Sequence, residues 1–279
     1  MFDARATARR FVRARLDAQP LPQYPGDEPT TLDDAYACQA AAIESWPDAL
    51  VGWKVGRIPD AWRPRFDEER LIGPIFRRAV AEAEHGDFVE IPVFVGGFAA
   101  VEAEFTFNLA ADAPPRRTTW TAAEAAAIAG DLHVGVEPAS SPLATINELG
   151  PAVVVSDFGN NAGLIVGPVI LDWRERAFES LTCETFIEER AVGKGSAMSI
   201  PGGPLAALAF ALGRAARLGR PLKAGDFVTT GATTGIHDIR AGENARIVFH
   251  GVGEIHCRAV PATSRATRAD HAARARASC

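Results

Sequence analysis

Two glutamates, Glu102 and Glu104, stand two residues apart in the stretch "AAVEAEFTFNL" at 99–109. Side chains alternate across a strand, so Val101, Ala103 and Phe105 take one face and both carboxylates take the other. Like charges side by side on an apolar strand repel, and each loses hydration if that face is covered. A solvated strand edge is one reading of the pair; a cation held between them is the other. Glu137, in "LHVGVEPAS", adds a third carboxylate and shifts the weight towards the cation. Pro138 follows it, which places Glu137 at the end of a hydrophobic strand, where site residues often project. Three carboxylates with no nearby His or Cys suit a hard divalent ion, Mg²⁺ or Mn²⁺, which keeps positions open for substrate oxygens.

Lys54 supplies the opposite charge. In "VGWKVG" it is bracketed by Val51, Trp53, Val55 and two glycines, an unusual setting for so solvent-loving a side chain. Alternation puts it opposite Trp53 and Val55, pointing into a pocket, although a strand-edge lysine reaching water along its stem fits the pattern equally. A lysine beside a metal can have a lowered pKa and act as proton donor or acceptor.

Other chemistries find little support. Cys38, Cys183, Cys257 and Cys279 are scattered, with no CxxC, and the histidines show no paired metal-ligand spacing. "SDFGNNAG" at 156–163 and "TTGATTG" at 229–235 can offer backbone N–H, amide and hydroxyl groups to a carboxylate, or simply be tight turns. Neither fits a Walker A or GxGxxG pattern, and no GxSxG elbow is present. A formal net charge of −6 is a poor match for nucleic acid or an anionic membrane surface. No apolar run is long enough to span a bilayer, and the opening "MFDARATARRFVRARLDA" reads as an amphipathic helix, so a cytoplasmic protein is expected.

The elements that must position these residues come in a definite order. Two helices are expected first: the Arg-rich opening, then "TLDDAYACQAAAIESW" capped by Thr31. "ALVGWKVGR" reads as a short strand, and Arg57–Phe76 as a long irregular loop of the kind that forms lids. From "DFVEIPVFVGG" onward the pattern is strand-like, including "PAVVVSDFG", "AGLIVGPVI" and "FVTTGATTG", with a closing hairpin in "ARIVFHGVGEIHCRAV". "TAAEAAAIAGDL", with Thr121 as cap, and "GGPLAALAFALGRAARLG" read as inserted helices. The expected fold class is α+β. A helical N-terminal part over 1–90 carries the lid-like loop at 57–76, a β-rich catalytic body covers 91–260, and a disordered basic tail covers 261–279.

"GWKVG", "GPIF", "VEAEFTF", "VGVEPASS", "SDFGNNAGLIVG" and the long "GGPLAALAFALGRAARLGRPLKAGDFVTTGATTG" stand in this order over roughly residues 5–260. The ordered set resembles the hydratase/decarboxylase branch of the fumarylacetoacetate hydrolase superfamily. The resemblance implies a mixed β-roll or sandwich with a helical N-terminal part, and an Mg²⁺ or Mn²⁺ ion held by Glu102, Glu104 and Glu137. It further implies a catalytic Lys54, an assisting Asp157, and a turn at Thr230, Gly231 and Ala232 that meets the substrate carboxylate.

The activity so implied is that of a lyase on small 2-oxo acids from aromatic catabolism. Hydration of 2-hydroxypenta-2,4-dienoate ranks ahead of decarboxylation of a 4-oxalocrotonate-type acid. C–C bond hydrolysis ranks lower, because 57–76 holds Glu68 and Glu69 but none of the histidine that the hydrolase branch uses. A non-catalytic 2-oxo-acid-binding or partner subunit is the alternative from another class. A homo-oligomer, and association with a paralogous decarboxylase or hydratase or with a pathway enzyme, also follow from the resemblance. Many relatives carry an arginine where this chain has "PASSPLA", and the Arg-rich tail has no counterpart among them.

Overall fold

The computed structural model describes residues 2–83 and 88–264. Two helices that pack on one another open the chain, α1 (Ala4–Asp17) and α2 (Leu32–Ser45). Each starts on a side chain able to accept a backbone N–H, Asp3 from Ala6 and Thr31 from Asp34. Thr7, Ala8, Phe11, Val12, Ala14 and Arg15 form the buried stripe of α1; the apolar members follow helical spacing, and Arg15 is a charge among them.

The body is two sheets. The strands in chain order are β1 (Leu50–Arg57), β2 (Arg70–Phe76), β3 (Val80–Glu82), β4 (Phe88–Val93), β5 (Phe98–Leu109), β6 (Ala129–Ser141) and β7 (Leu164–Val169). They continue with β8 (Thr182–Ile187), β9 (Arg190–Ser196), β10 (Phe227–Thr229), β11 (His237–Asp238), β12 (Asn244–Phe249) and β13 (Gly253–Pro261). One sheet runs β2-β1-β10-β5-β6-β7-β3, with β11 added on β5; the other runs β4-β13-β12-β8-β9. Three further helices, α3 (Ala122–Ile128), α4 (Pro151–Ser156) and α5 (Gly203–Arg217), are inserted between strands. Phe105 of β5 meets Phe249 of β12 edge-on at 5.7 Å, joining the two sheets in one core.

The α+β class read from the sequence is the class observed. Several local expectations are corrected. "PAVVVSDFG" is not a strand: Pro151 occupies the first turn of α4, and a short apolar run bounded by Gly and Pro suits either element. The second part of the 57–76 interval is β2, an antiparallel partner of β1 throughout its length, so the irregular loop is confined to 58–69. "TAAEAAAIAGDL" is helical only to Ile128 before β6 begins; Thr121 caps it with a reciprocal Glu124 contact. Pro261 closes β13, and the rest of the basic tail, 265–279, lies outside the described residues.

Two glycines explain how the segment after α4 reaches the sheet. A Cβ on Gly73 would stand 2.1 Å from the Phe158 carbonyl oxygen, and one on Gly159, which sits at φ +64°, would stand 3.0 Å from the Gly73 Cα. Backbone lies on backbone there, and neither side can give way. Gly73→Ala is therefore expected to destabilise the protein by roughly 1–3 kcal/mol, the usual cost of overpacking. A urea midpoint equal to that of the parent would contradict this contact.

Candidate metal centre

The pairing of β5 with β6 sets Glu102 directly opposite Glu137, and Glu104 opposite Gly135. Residues paired across an antiparallel ladder share a face, so all three carboxylates converge on one side. One oxygen from each lies within 4.8 Å of the others. Glu102 is 3% exposed, Glu104 and Glu137 0%. This placement removes the solvated-edge reading. Glu137 is inside β6 rather than at its end: Pro138 is accommodated because β7 pairs with β6 only as far as Val136. The proline's missing N–H therefore leaves no ladder bond unmade.

Glu104 and Glu137 each have one oxygen with a protein donor or cation and one without. Glu104 Oε2 accepts from the Gly231 N–H at 2.6 Å, where the chain turns at φ +116°. Glu137 Oε1 accepts from Asn161 Nδ2 at 3.1 Å and lies 3.2 Å from Lys54 Nζ. Glu102 Oε1, Glu104 Oε1 and Glu137 Oε2 are buried with no hydrogen-bond partner. Unsatisfied buried carboxylate oxygens are costly, and three carboxyl groups gathered this closely, each with an unpartnered oxygen, are the donor set of a hard divalent cation. Among the described residues, these three are the group of acidic, His or Cys side chains so arranged.

The electrostatics follow from one lysine facing three acids. Burial lowers the Lys54 ammonium, but Glu137, then Glu102 and Glu104, outweigh it and hold the pKa above its ordinary value. Burial raises Glu102 to about 7, with Lys54 opposing and Glu137 adding to the rise. Burial raises Glu104 well above the usual carboxylate range, with Glu137 and Glu102 adding to it.

A cavity of about 550 Å³ opens on this cluster. Lys54, Glu102, Thr230, Gly231 and Ala232 line it, so the turn expected to meet substrate does face the same space. Thr230 is also structural, since its hydroxyl donates to the Phe105 carbonyl at 2.8 Å. Asp157 stands elsewhere. Arg15 Nε donates to Asp157 Oδ1 at 2.5 Å, and Oδ2 accepts from Arg15 Nη2 at 3.0 Å and Ser141 Oγ at 2.6 Å. It is 1% exposed and does not line the cavity, so its place is in a buried ion pair that joins α1 to the loop after α4.

Arg15 also donates to the Asn161 carbonyl at 3.0 Å, and Asn161 holds Glu137, so the first helix is tied to the acidic cluster through two residues. Sequence reading missed both. The available signal was a charge on the apolar stripe of α1, four residues after Phe11. Arg70, Asn147 and Asn160, which also line the cavity, carried no such signal.

No protein-family model matches the chain. Among solved structures, 4-oxalocrotonate decarboxylase from Pseudomonas putida G7, complexed with magnesium and adipate, superposes with a TM-score of 0.75 at 20% identity. That match covers 92% of this chain and 97% of the other. The two share a fold. The same enzyme complexed with calcium and acetate gives a TM-score of 0.73 at 20% identity, again over 92% of this chain and 97% of the other. Fumarylpyruvate hydrolase from Pseudomonas aeruginosa, in complex with Mn²⁺ and pyruvate, gives 0.53 at 15% identity, over 76% of this chain and 90% of that one. The mixed α+β fold expected from the sequence is the fold found, and these neighbours share it. Among the described residues no helix is long and apolar enough to cross a membrane.

The raised carboxylates set a pH dependence. A group held protonated in the folded state costs nothing below its unfolded value of 4.5, and destabilises progressively as pH rises through about 7. A divalent cation removes that penalty. The melting-temperature gain on adding Mg²⁺ to EDTA-stripped protein is expected to grow between pH 5 and pH 8, by the equivalent of about 3 kcal/mol. A gain independent of pH would contradict buried, unpaired carboxylates.

Proposed function

We propose that this protein is a divalent-metal-dependent lyase acting on small 2-oxo acids. The observation that carries the reading is the convergence of three buried carboxyl groups, each with an unpartnered oxygen, beside a cavity that Lys54 lines. Glu102, Glu104 and Glu137 would hold Mg²⁺ or Mn²⁺, which polarises the keto and carboxylate oxygens of the substrate and stabilises negative charge developing there. The named ligands of the neighbouring structures, Mg²⁺ with adipate and Mn²⁺ with pyruvate, support a cation and a small carboxylate in this cavity.

The chain's own residues supply the proton chemistry. Lys54 is protonated and lines the cavity, so it can deliver a proton to the substrate carbon that gains electrons. In decarboxylation the C–C bond to the departing CO₂ breaks, its electron pair stays on the substrate, and Lys54 protonates that carbon before recovering a proton from solvent. In hydration of 2-hydroxypenta-2,4-dienoate, Lys54 moves the proton that isomerises the dienol, and water adds at the far carbon. Val55, Leu71, Ile200 and Pro201 give the cavity apolar walls that exclude bulk water. Asp157 acts at a distance, by fixing the loop that bears Asn161. Aromatic-catabolic lyases of either type fit this arrangement; the shared fold gives decarboxylation a standing equal to hydration.

Hydrolysis is less well supported. Glu68 pairs with Arg214 and Glu69 with Arg63, and neither glutamate lines the cavity. A non-catalytic binding protein would have little reason to keep three unpaired buried charges, whose removal is the cheapest change available.

The direct test incubates pure protein and Mg²⁺ with 2-hydroxypenta-2,4-dienoate and, separately, with 4-oxalocrotonate, following ultraviolet absorbance and CO₂. Loss of absorbance that EDTA abolishes is expected with at least one of them. Lys54→Met should keep metal binding and lower turnover by roughly 10²–10⁴-fold. Turnover unaffected by EDTA, or a fully active Lys54→Met, would overturn the assignment.

A further inference from the structure

On the side away from β6, β5 pairs first with β10 and then with β11, and these two partners are out of step. Thr229 of β10 stands opposite Thr106, and His237 of β11 stands opposite Val101. Between those pairs seven residues, 230–236, face four, 102–105. A bulge re-aims backbone groups off the ladder, and this one lies alongside Glu102 and Glu104. Its effect is to send the Gly231 N–H to a side chain, Glu104 Oε2, at 2.6 Å.

The bulge has two sides. Thr230, Gly231, Ala232 and Ile236 line the cavity, whereas Thr234 and His237 do not. Those two meet each other, His237 Nε2 lying 3.1 Å from Thr234 Oγ1. Thr234 Oγ1 also lies 2.8 Å from Thr185 Oγ1. Thr185 belongs to β8, in the other sheet, and is fully buried. β9 presses on the same stretch, backbone on backbone: no Cβ fits at Gly195 beside the Thr233 carbonyl oxygen, or at Gly193 beside that of Thr234. Two backbone hydrogen bonds fasten the bulge to β5, from Thr230 N–H to the Phe105 carbonyl at 3.1 Å and from Thr233 N–H to the Ala103 carbonyl at 2.8 Å. Gly231 stands between them, and the Thr234 hydroxyl ties the bulge to the second sheet.

We propose that Thr234, anchored on Thr185, is a positioning residue: it fixes the bulge so that the Gly231 N–H meets Glu104, and thereby sets how tightly the acid cluster holds a divalent cation. The second half of this statement rests on the metal reading above; the first half does not. A bulge gives up ladder bonds, so its course depends on side-chain contacts of this kind. Held by Gly231, Glu104 keeps its other oxygen, Oε1, without a protein partner. Should Gly231 swing away, the carboxyl group is free to turn, and a ligand that was set in advance has to be ordered on binding. Thr185 thus bears on a site that it does not line.

Hydrogen exchange of the EDTA-treated full chain, read at the Gly231 amide with the β12 amides as reference, tests the first half without any metal. The Gly231 amide is expected to be protected in the parent. Thr234→Val should speed its exchange roughly fivefold, the worth of one hydrogen bond, and leave β12 unchanged. Thr185→Val should do the same, the double variant should add little, and Thr234→Ser, which keeps the hydroxyl, should exchange like the parent. Calorimetric titration with Mg²⁺ tests the second half: Kd should rise roughly tenfold in Thr234→Val and stay at the parent value in Thr234→Ser. An unprotected Gly231 in the parent, unchanged exchange in Thr234→Val, equal loosening of β12, or a Thr234→Ser variant no better than Thr234→Val would overturn the positioning role. If Gly231 responds as expected and the parent binds Mg²⁺ but Kd does not move, the link to the cation falls. If Gly231 responds and the parent binds no Mg²⁺, the brace stands and the metal reading falls.

Discussion

Three carboxylates buried around one ammonium group are the constraint from which the rest of this structure follows. Glu102, Glu104 and Glu137 together with Lys54 leave an excess of negative charge where water does not reach. An isolated ion in such a place is expensive, and one lysine cannot satisfy three acids. The chain meets part of the cost with the Gly231 N–H and the Asn161 amide, and leaves one oxygen of each acid without a partner where the three carboxyl groups meet. Protons can occupy that point in the stripped protein, which is why burial drives Glu102 and Glu104 upward. A divalent cation occupies it more favourably near neutral pH.

The scaffold is built around holding that point rigid. Two long central strands, β5 and β6, carry the acids in a single register, so that a one-residue slip would turn Glu137 away from Glu102. Lys54 comes from a third strand, directly opposite Gly73, where the close approach of Gly73 and Gly159 lets the segment after α4 lie against the sheet. The first helix is part of the same device. Arg15 crosses from α1 to Asp157, the Asn161 carbonyl and the Ser140 carbonyl, and is 6% exposed. A buried pair of this kind costs more to break than it contributes when intact, which favours one arrangement of the loop over others. The sequence-remote helix therefore bears on the geometry at Glu137 without touching the cavity's reactive end.

Much of this was legible before any coordinates, for reasons that differ by residue. The two-residue spacing of Glu102 and Glu104 fixes a shared face in any strand, so their convergence needs only the strand to exist. Lys54 was marked by its apolar neighbours, and α2 and α5 by their periodicity and by Thr31 or a trailing glycine. Partners across the chain were not legible. That Glu137 faces Glu102 is a fact of register between strands separated by α3, and the alternation of either strand is silent about it. Asp157 shows the same limit: the resemblance implies an assisting role for it, and the Arg15 that engages it lies 142 residues away, where no local pattern points. Arg70, at the cavity wall, is hidden in the same manner, because the sequence of β2 reads as loop and its ladder with β1 cannot be drawn from it.

Crystals grown with Mn²⁺ and measured at the manganese edge address the central claim directly. A single anomalous peak bounded by an oxygen from each of Glu102, Glu104 and Glu137, next to Lys54, is the result expected. A map with no peak among those three side chains, or with the ion held elsewhere on the protein, would contradict it.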